Sequence, residues 1–332
     1  MDRYVCSFEK QKLFENVYNT NIRSGEPYRV IKTEEMVDDF YSNILDWKKN
    51  HLAYSVDGSI FLYNFYNSEC EEIEIFDKCS ISSVKFNDDG ELLAIGSSNG
   101  DLKIINVNTK KVVDSITHNS RVSVIEWDGN TILTGSRDRS IKFLDKRKSM
   151  KQKTFSFHHQ EVCGLKLNKD KQLIASGGND NFIFIFDKRK VTPPLGKIAH
   201  HRAAVKALSW SQSRSNILCS GGGTADKNIC IWDTNLLTSE PLCKSVNSKS
   251  QVCNVFWTKN NQIISTHGYS KNDARIYAAP SINPLKVYLS HRTRVTQLAV
   301  SDDEKYFATA GSDSKLIIWK IHQSNIKEYL FR

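Results

Sequence analysis

One pattern recurs along the chain and restricts its fold more than any other feature: a β-branched residue followed, five positions on, by a large apolar one. It spans Ile81 to Phe86, Val122 to Trp127, Val162 to Leu167, Val205 to Trp210, Val252 to Trp257 and Val295 to Val300. Successive starts lie 41, 40, 43, 47 and 43 residues apart. Four short strands need about 40 to 45 residues, and a single unit of that size cannot bury its apolar face alone. Repetition at this period therefore predicts stacked units closing into a ring.

Each unit repeats an internal order. A second apolar stretch ends in small residues, as in Leu92-Leu93-Ala94-Ile95-Gly96 and Phe307-Ala308-Thr309-Ala310-Gly311, which would let neighbouring sheets approach closely near a central channel. A turn with Asp or Asn follows, at Asn99 to Asp101, Asp138, Asp180, Asp226 and Asp313, where the short polar side chain satisfies turn backbone groups. An alternating stretch such as Ile229-Cys230-Ile231-Trp232-Asp233 then gives the period-two signal of a half-buried strand. Histidines precede the next unit at His118, His159, His201 and His291, where WD-repeat proteins carry a structural histidine bonded to the turn Asp and a strand hydroxyl. Six full units and a weaker one containing Leu52-Ala53-Tyr54-Ser55 and Ile60-Phe61-Leu62-Tyr63 make seven. Seven units close a ring and leave only short edges, so the expected fold is an all-β, seven-bladed WD-repeat β-propeller. The predicted organisation is a docking segment over 1–36, the propeller over 37–322 and a docking tail over 323–332.

The 332 residues would by length suggest two domains, but the uninterrupted repeat argues for one. No apolar run approaches the ~20 residues that cross a bilayer as a helix, and Met1-Asp2-Arg3-Tyr4-Val5-Cys6 has no secretory apolar core behind it. The expected location is nucleus and cytoplasm, without membrane association. Lys and Arg number 46 against 37 Asp and Glu, a net charge of +9, which favours acidic partners at low salt. The densest basic stretch, Arg137 to Lys153, lacks the interleaved aromatics of a nucleic-acid platform, so nucleic acid is not the expected partner. The eight cysteines show no C-x-x-C or paired-histidine spacing, and no metal or cofactor site is expected. Gly221-Gly222-Gly223 lies between two strands of a unit and lacks the Lys-Ser/Thr of a phosphate-binding loop. With no nucleophile elbow or metal-binding histidine pair, catalytic residues are not expected. The chain reads as a binding module and not an enzyme, with a general WD-repeat scaffold, one that could bind RNA, as the rival reading.

Several stretches carry more than the generic repeat. Asp38-Asp39-Phe40-Tyr41-Ser42-Asn43-Ile44-Leu45-Asp46-Trp47, Gln160 to Leu165, Ser176-Gly177-Gly178-Asn179-Asp180-Asn181, Gly221 to Asp226, Ser250 to Asn254 and Ser265 to Ser270 together resemble the Fizzy and Fizzy-related family, leaning to the second branch. That family comprises substrate-recruiting coactivators of the anaphase-promoting complex, a ubiquitin ligase. The resemblance runs from about Pro27 to Trp319.

The resemblance implies a reader for the Lys-Glu-Asn degron at Asn179, Asn181, Thr224, Gln251 and Arg294. Amides and a hydroxyl suit a short peptide's backbone and Asn, while Arg294 suits its Glu. It implies that Asp46 takes the Arg of a destruction box in the cleft between first and last blades. The second acidic position of the family falls at Ser314, a departure. It also implies ligase docking through Asp2, Arg3 and Tyr4 at one end and Phe331 and Arg332 at the other. The implied partners are subunits of the ligase and degron-bearing substrates, with checkpoint inhibitors left open. About thirty residues separate the first docking motif from the propeller, shorter than the segment of most members, which argues against phosphate control there.

Overall fold

The computed structural model describes residues 25–148, 151–236 and 240–321. Its 28 strands form seven four-stranded antiparallel sheets, and no α-helix occurs among the described residues. The expected propeller is the fold. Blades one to six each take four consecutive strands: the first starts with Leu45–Lys48, the second with Ile81–Phe86, the third with Val122–Asp128, the fourth with Val162–Leu167, the fifth with Ala207–Trp210 and the sixth with Val252–Trp257. The repeat's β-branched start is thus the mouth end of an inner strand, and the large apolar residue lies at the opposite end.

The seventh blade corrects the predicted boundary at residue 37. Its inner three strands are Val295–Val300, Tyr306–Gly311 and Lys315–Lys320, but its outer strand is Pro27–Lys32, antiparallel to Lys315–Lys320 from Pro27 opposite Trp319 to Lys32 opposite Lys315. A ring assembled only from consecutive strands would leave the third strand of the last blade as an open edge. An early segment with weak alternation supplies the missing hydrogen bonds, and Arg29 fastens it to the first blade by donating to Phe65 O at 2.9 Å and to Ser68 Oγ at 3.2 Å.

The small residues do what their position suggests. A Cβ added to Gly135 would stand 2.7 Å from Val162 Cγ1, and one added to Gly96 would stand 2.7 Å from Val122 Cβ. Val122, Val162, Val205 and Val252 thus pack against the end of the preceding blade's second strand.

The histidines are structural, with one correction. His201 donates from Nδ1 to Asp226 and accepts at Nε2 from Ser220 Oγ at 2.6 Å, and Trp232 donates to the same Ser220 oxygen at 2.7 Å. A carboxylate only accepts, so Nδ1 carries the proton and Nε2 is left as the acceptor. His291 repeats this with Asp313 and Thr309, and Trp319 closes it on Thr309 at 2.7 Å. In the fourth blade the ring that pairs with Asp180 and Ser176 belongs to His158, not His159, whose backbone N–H instead donates to Asp180 Oδ2 at 2.8 Å. Adjacent histidines cannot be told apart by period alone. The sixth blade has Ser248 at the usual histidine position. There His267, on the second strand, pairs with Asp273 at 2.7 Å, and Arg275 grips the other carboxylate oxygen at 2.8 and 2.9 Å.

Candidate functional site at the mouth of the ring

Within a blade, the start of the inner strand and the end of the second strand lie at one end, because the two run antiparallel. Asn179 and Asn181 follow the second strand of the fourth blade, Leu173–Gly178, and Thr224 follows that of the fifth, Ile217–Gly221. Gln251 immediately precedes the inner strand of the sixth blade and Arg294 that of the seventh. All five resemblance-derived residues therefore stand on one rim, over four consecutive blades.

Two of them touch directly: Arg294 Nη1 lies 3.5 Å from Gln251 Oε1. The guanidinium carbon also sits 5.4 Å from the ring centre of exposed Tyr269, within cation–π range. Asn181 holds a left-handed φ of 69°, its N–H bonded to Gly178 O at 3.2 Å. The matching turn residues elsewhere are Arg139, Lys227, Asn272 and Ser314, all with positive φ, so the turn alone does not demand an amide at Asn181. Thr224 is exposed and Gln251 is buried.

The path of residues 33–43 has no signature in the repeat. Thr33 N–H bonds to Ser314 O at 3.1 Å, and the chain then crosses the rim. Asp38 pairs with Arg294, Asp39 with Arg121, and Tyr41 donates to Asn179 Oδ1 at 2.7 Å. Phe40 is buried with Ala204 and Cys253, and Asn43 Nδ2 donates to Ser123 O at 2.7 Å. This crossing passes over one mouth of the channel, bonded to the third, fourth and seventh blades. Beneath it, buried Lys206 donates to Ser42 O at 2.7 Å and Thr296 O at 2.9 Å, and burial pushes its ammonium down to about 8. Arg121 also pairs with Glu161, so an ion network extends the site to the third blade. Asn179 is tied into this frame, donating to Gln160 Oε1 at 2.6 Å while accepting from Tyr41.

Asp46 is a correction. Its carboxylate accepts from Lys85 Nζ at 2.7 Å and from the Phe86 N–H at 2.9 Å, and the residue is 9% exposed. It lines the central channel, not a cleft between blades, because its alternation on Leu45–Lys48 turns it toward the axis. A carboxylate so engaged is not presented to an incoming arginine. Asp313, as expected, serves its own blade, bonded to His291 and the Arg292 N–H. The docking residues Asp2, Arg3, Tyr4, Phe331 and Arg332 lie outside the described residues.

The basic stretch is spread along one blade. Arg137 and Arg139 sit at one end of the strand Ile141–Asp145, while Lys146 and Arg147 sit at the other. Five residues at ~3.3 Å each put about 17 Å between them, and Arg147 is paired with Asp145. Among the described residues no cluster of three potential metal ligands occurs. Burial pushes the Cys163 and Cys219 thiols well above their ordinary range and Cys253 to about 12, the behaviour of packing residues.

Residues 31–319 match the family model for the CDC20/Fizzy WD40 domain. The chain is 36% identical over 303 residues to Protein FIZZY-RELATED 3 of Arabidopsis thaliana, covering 90% of this chain and 62% of that one. It is 34% identical to the anaphase-promoting complex subunit cdh1 of Dictyostelium discoideum, over 97% of this chain and 47% of the relative. The chain thus spans roughly half to three fifths of the length of these two relatives. Among solved structures, a chain of the crystal structure of mitotic checkpoint complex superposes with a TM-score of 0.87 at 31% identity, covering 92% of this chain and 95% of that one. With the seven-bladed ring and the repeat in agreement with these likenesses, the chain belongs to the CDC20/Fizzy family of WD40 proteins.

Proposed function

We propose that the protein is a substrate-recognition coactivator of the anaphase-promoting complex, which recruits degron-bearing cell-cycle proteins for ubiquitination in nucleus and cytoplasm and contributes no bond-making chemistry. The observation that carries this reading is the convergence on one rim of Asn181, Thr224, Gln251 and Arg294, framed by Asn179. An exposed hydroxyl, amides and a guanidinium over four blades suit a short extended peptide bearing Asn and Glu. Arg3 and its neighbours, with Phe331 and Arg332, would dock the ring on the ligase. Tethering then raises the local substrate concentration to ~mM for short flexible connections. Asp46 is engaged by Lys85 and the Phe86 N–H, so the destruction-box part of the reading is carried no further. The basic stretch, split across two ends of a blade, gives the RNA-binding scaffold no support.

Titration of a fluorescent Lys-Glu-Asn peptide against the protein and against Asn181→Ala tests the rim, with a tenfold or greater loss expected; equal affinity would remove the site. Capture of the ligase by intact protein and by Arg3→Ala tests docking, and unchanged capture by the variant would count against it.

A further inference from the structure

The guanidinium assigned to the degron's glutamate already holds a carboxylate. Arg294 Nε donates to Asp38 Oδ1 at 2.9 Å and Nη2 to the Asp38 carbonyl at 2.9 Å, with the two side chains 17% and 33% exposed. We propose that Asp38 is an internal competitor for the peptide site: its carboxylate occupies the charge that a ligand glutamate needs, and so sets the affinity and the acid-selectivity of the rim. The inference rests on the peptide-reading role proposed above.

Three observations support it. First, Asp38 cannot drift away, because it lies between two buried anchors, Met36 at 2% exposure and Phe40 at 6%, and its neighbour Asp39 is tied to Arg121. The backbone carbonyl therefore stays on Nη2 whatever the side chain does. Second, the other side-chain hydrogen bond of Arg294 goes to Gln251 Oε1, a neutral acceptor, and its ring contact is with Tyr269, so Asp38 supplies the anionic partner within its hydrogen-bonding shell. An incoming glutamate must either displace that carboxylate from Nε or share one guanidinium with it, and two carboxylates close together repel. Third, the pair is partly open to water, so exchange does not require exposing a buried charge.

Aspartate to asparagine separates competition from positioning. Asn keeps the shape and an oxygen acceptor for the Nε–H while removing only the charge. A Lys-Glu-Asn peptide and its Lys-Gln-Asn counterpart would be titrated against the protein and Asp38→Asn by fluorescence anisotropy at low and high salt. Competition predicts about two- to fivefold tighter binding of Lys-Glu-Asn by the variant, the range set by one partly exposed ion pair, with the gain shrinking as salt screens it. Lys-Gln-Asn should change less than twofold. Unchanged or weaker binding of Lys-Glu-Asn by Asp38→Asn would overturn the inference and leave Asp38 as a holder of Arg294. Failure of Lys-Glu-Asn to bind either protein would instead overturn the proposed reading of the rim. The two failures are distinguishable in one experiment.

Discussion

Ser220→Ala isolates the polar chain that ties the outer layers of the fifth blade together. Ser220 has no solvent exposure; its hydroxyl donates to His201 Nε2 at 2.6 Å and accepts from Trp232 Nε1 at 2.7 Å, while His201 Nδ1 holds Asp226. Removing the hydroxyl leaves an imidazole acceptor and an indole donor without their partner, both in side chains that reach almost no water. An orphaned buried group costs about 1–3 kcal/mol, so two of them predict a loss of about 2–5 kcal/mol once partial relaxation is allowed. The void left by one oxygen is smaller than a methyl group, and packing loss is minor beside this. Urea unfolding followed by tryptophan fluorescence reads the difference, because Trp232 itself reports on the site. Ser220→Thr is the control: the seventh blade uses Thr309 for the same two bonds at 2.9 and 2.7 Å, so the threonine variant should recover most of the stability. A loss under about 0.5 kcal/mol for Ser220→Ala, typical of an unremarkable surface change, would refute the reasoning, as would an equal loss for both variants.

Two further outcomes follow from other blades. Arg29→Ala should destabilise the ring by about 1–3 kcal/mol, the worth of its charged hydrogen bonds to Phe65 O and Ser68 Oγ, and should raise protease cleavage near Pro27–Lys32 in the native state more than elsewhere. His118 differs from the other histidines: Nε2 pairs with Thr134 at 2.9 Å, but Nδ1 stands 4.0 Å from Asp138, and burial pushes its pKa down to about 4. The folded state therefore binds that proton less readily than the unfolded chain, so stability is lost as pH falls from about 6.5 toward 4. Between pH 7 and 5 the native protein should lose about 1–2 kcal/mol more than His118→Gln, measured by denaturant unfolding at each pH; parallel losses would show that His118 does not carry the effect.

The ring and the blade number were legible in the chain because they rest on periodic local chemistry. A β-branched residue near the inner strand start, a small residue near the second strand end and an Asp in the turn recur in most of the blades, where one blade packs on the next. That repetition makes 40-residue spacing readable without coordinates. Rim residues such as Gln251 and Arg294 were singled out by the family resemblance, and their offset from a strand start then fixes the end of the blade on which they sit. Three features depended on tertiary structure. Pro27–Lys32 completes the last blade because an open edge at the seam must be paired by whatever strand reaches it, and no local signal marks which one does. Asp46 turns to Lys85 because strand twist and alternation aim it at the channel, a choice of side that a four-residue strand does not announce. Asp38 meets Arg294 across 256 positions because the buried anchors at Met36 and Phe40 lay the crossing segment over the rim, and contact between such distant residues has no trace in sequence periodicity.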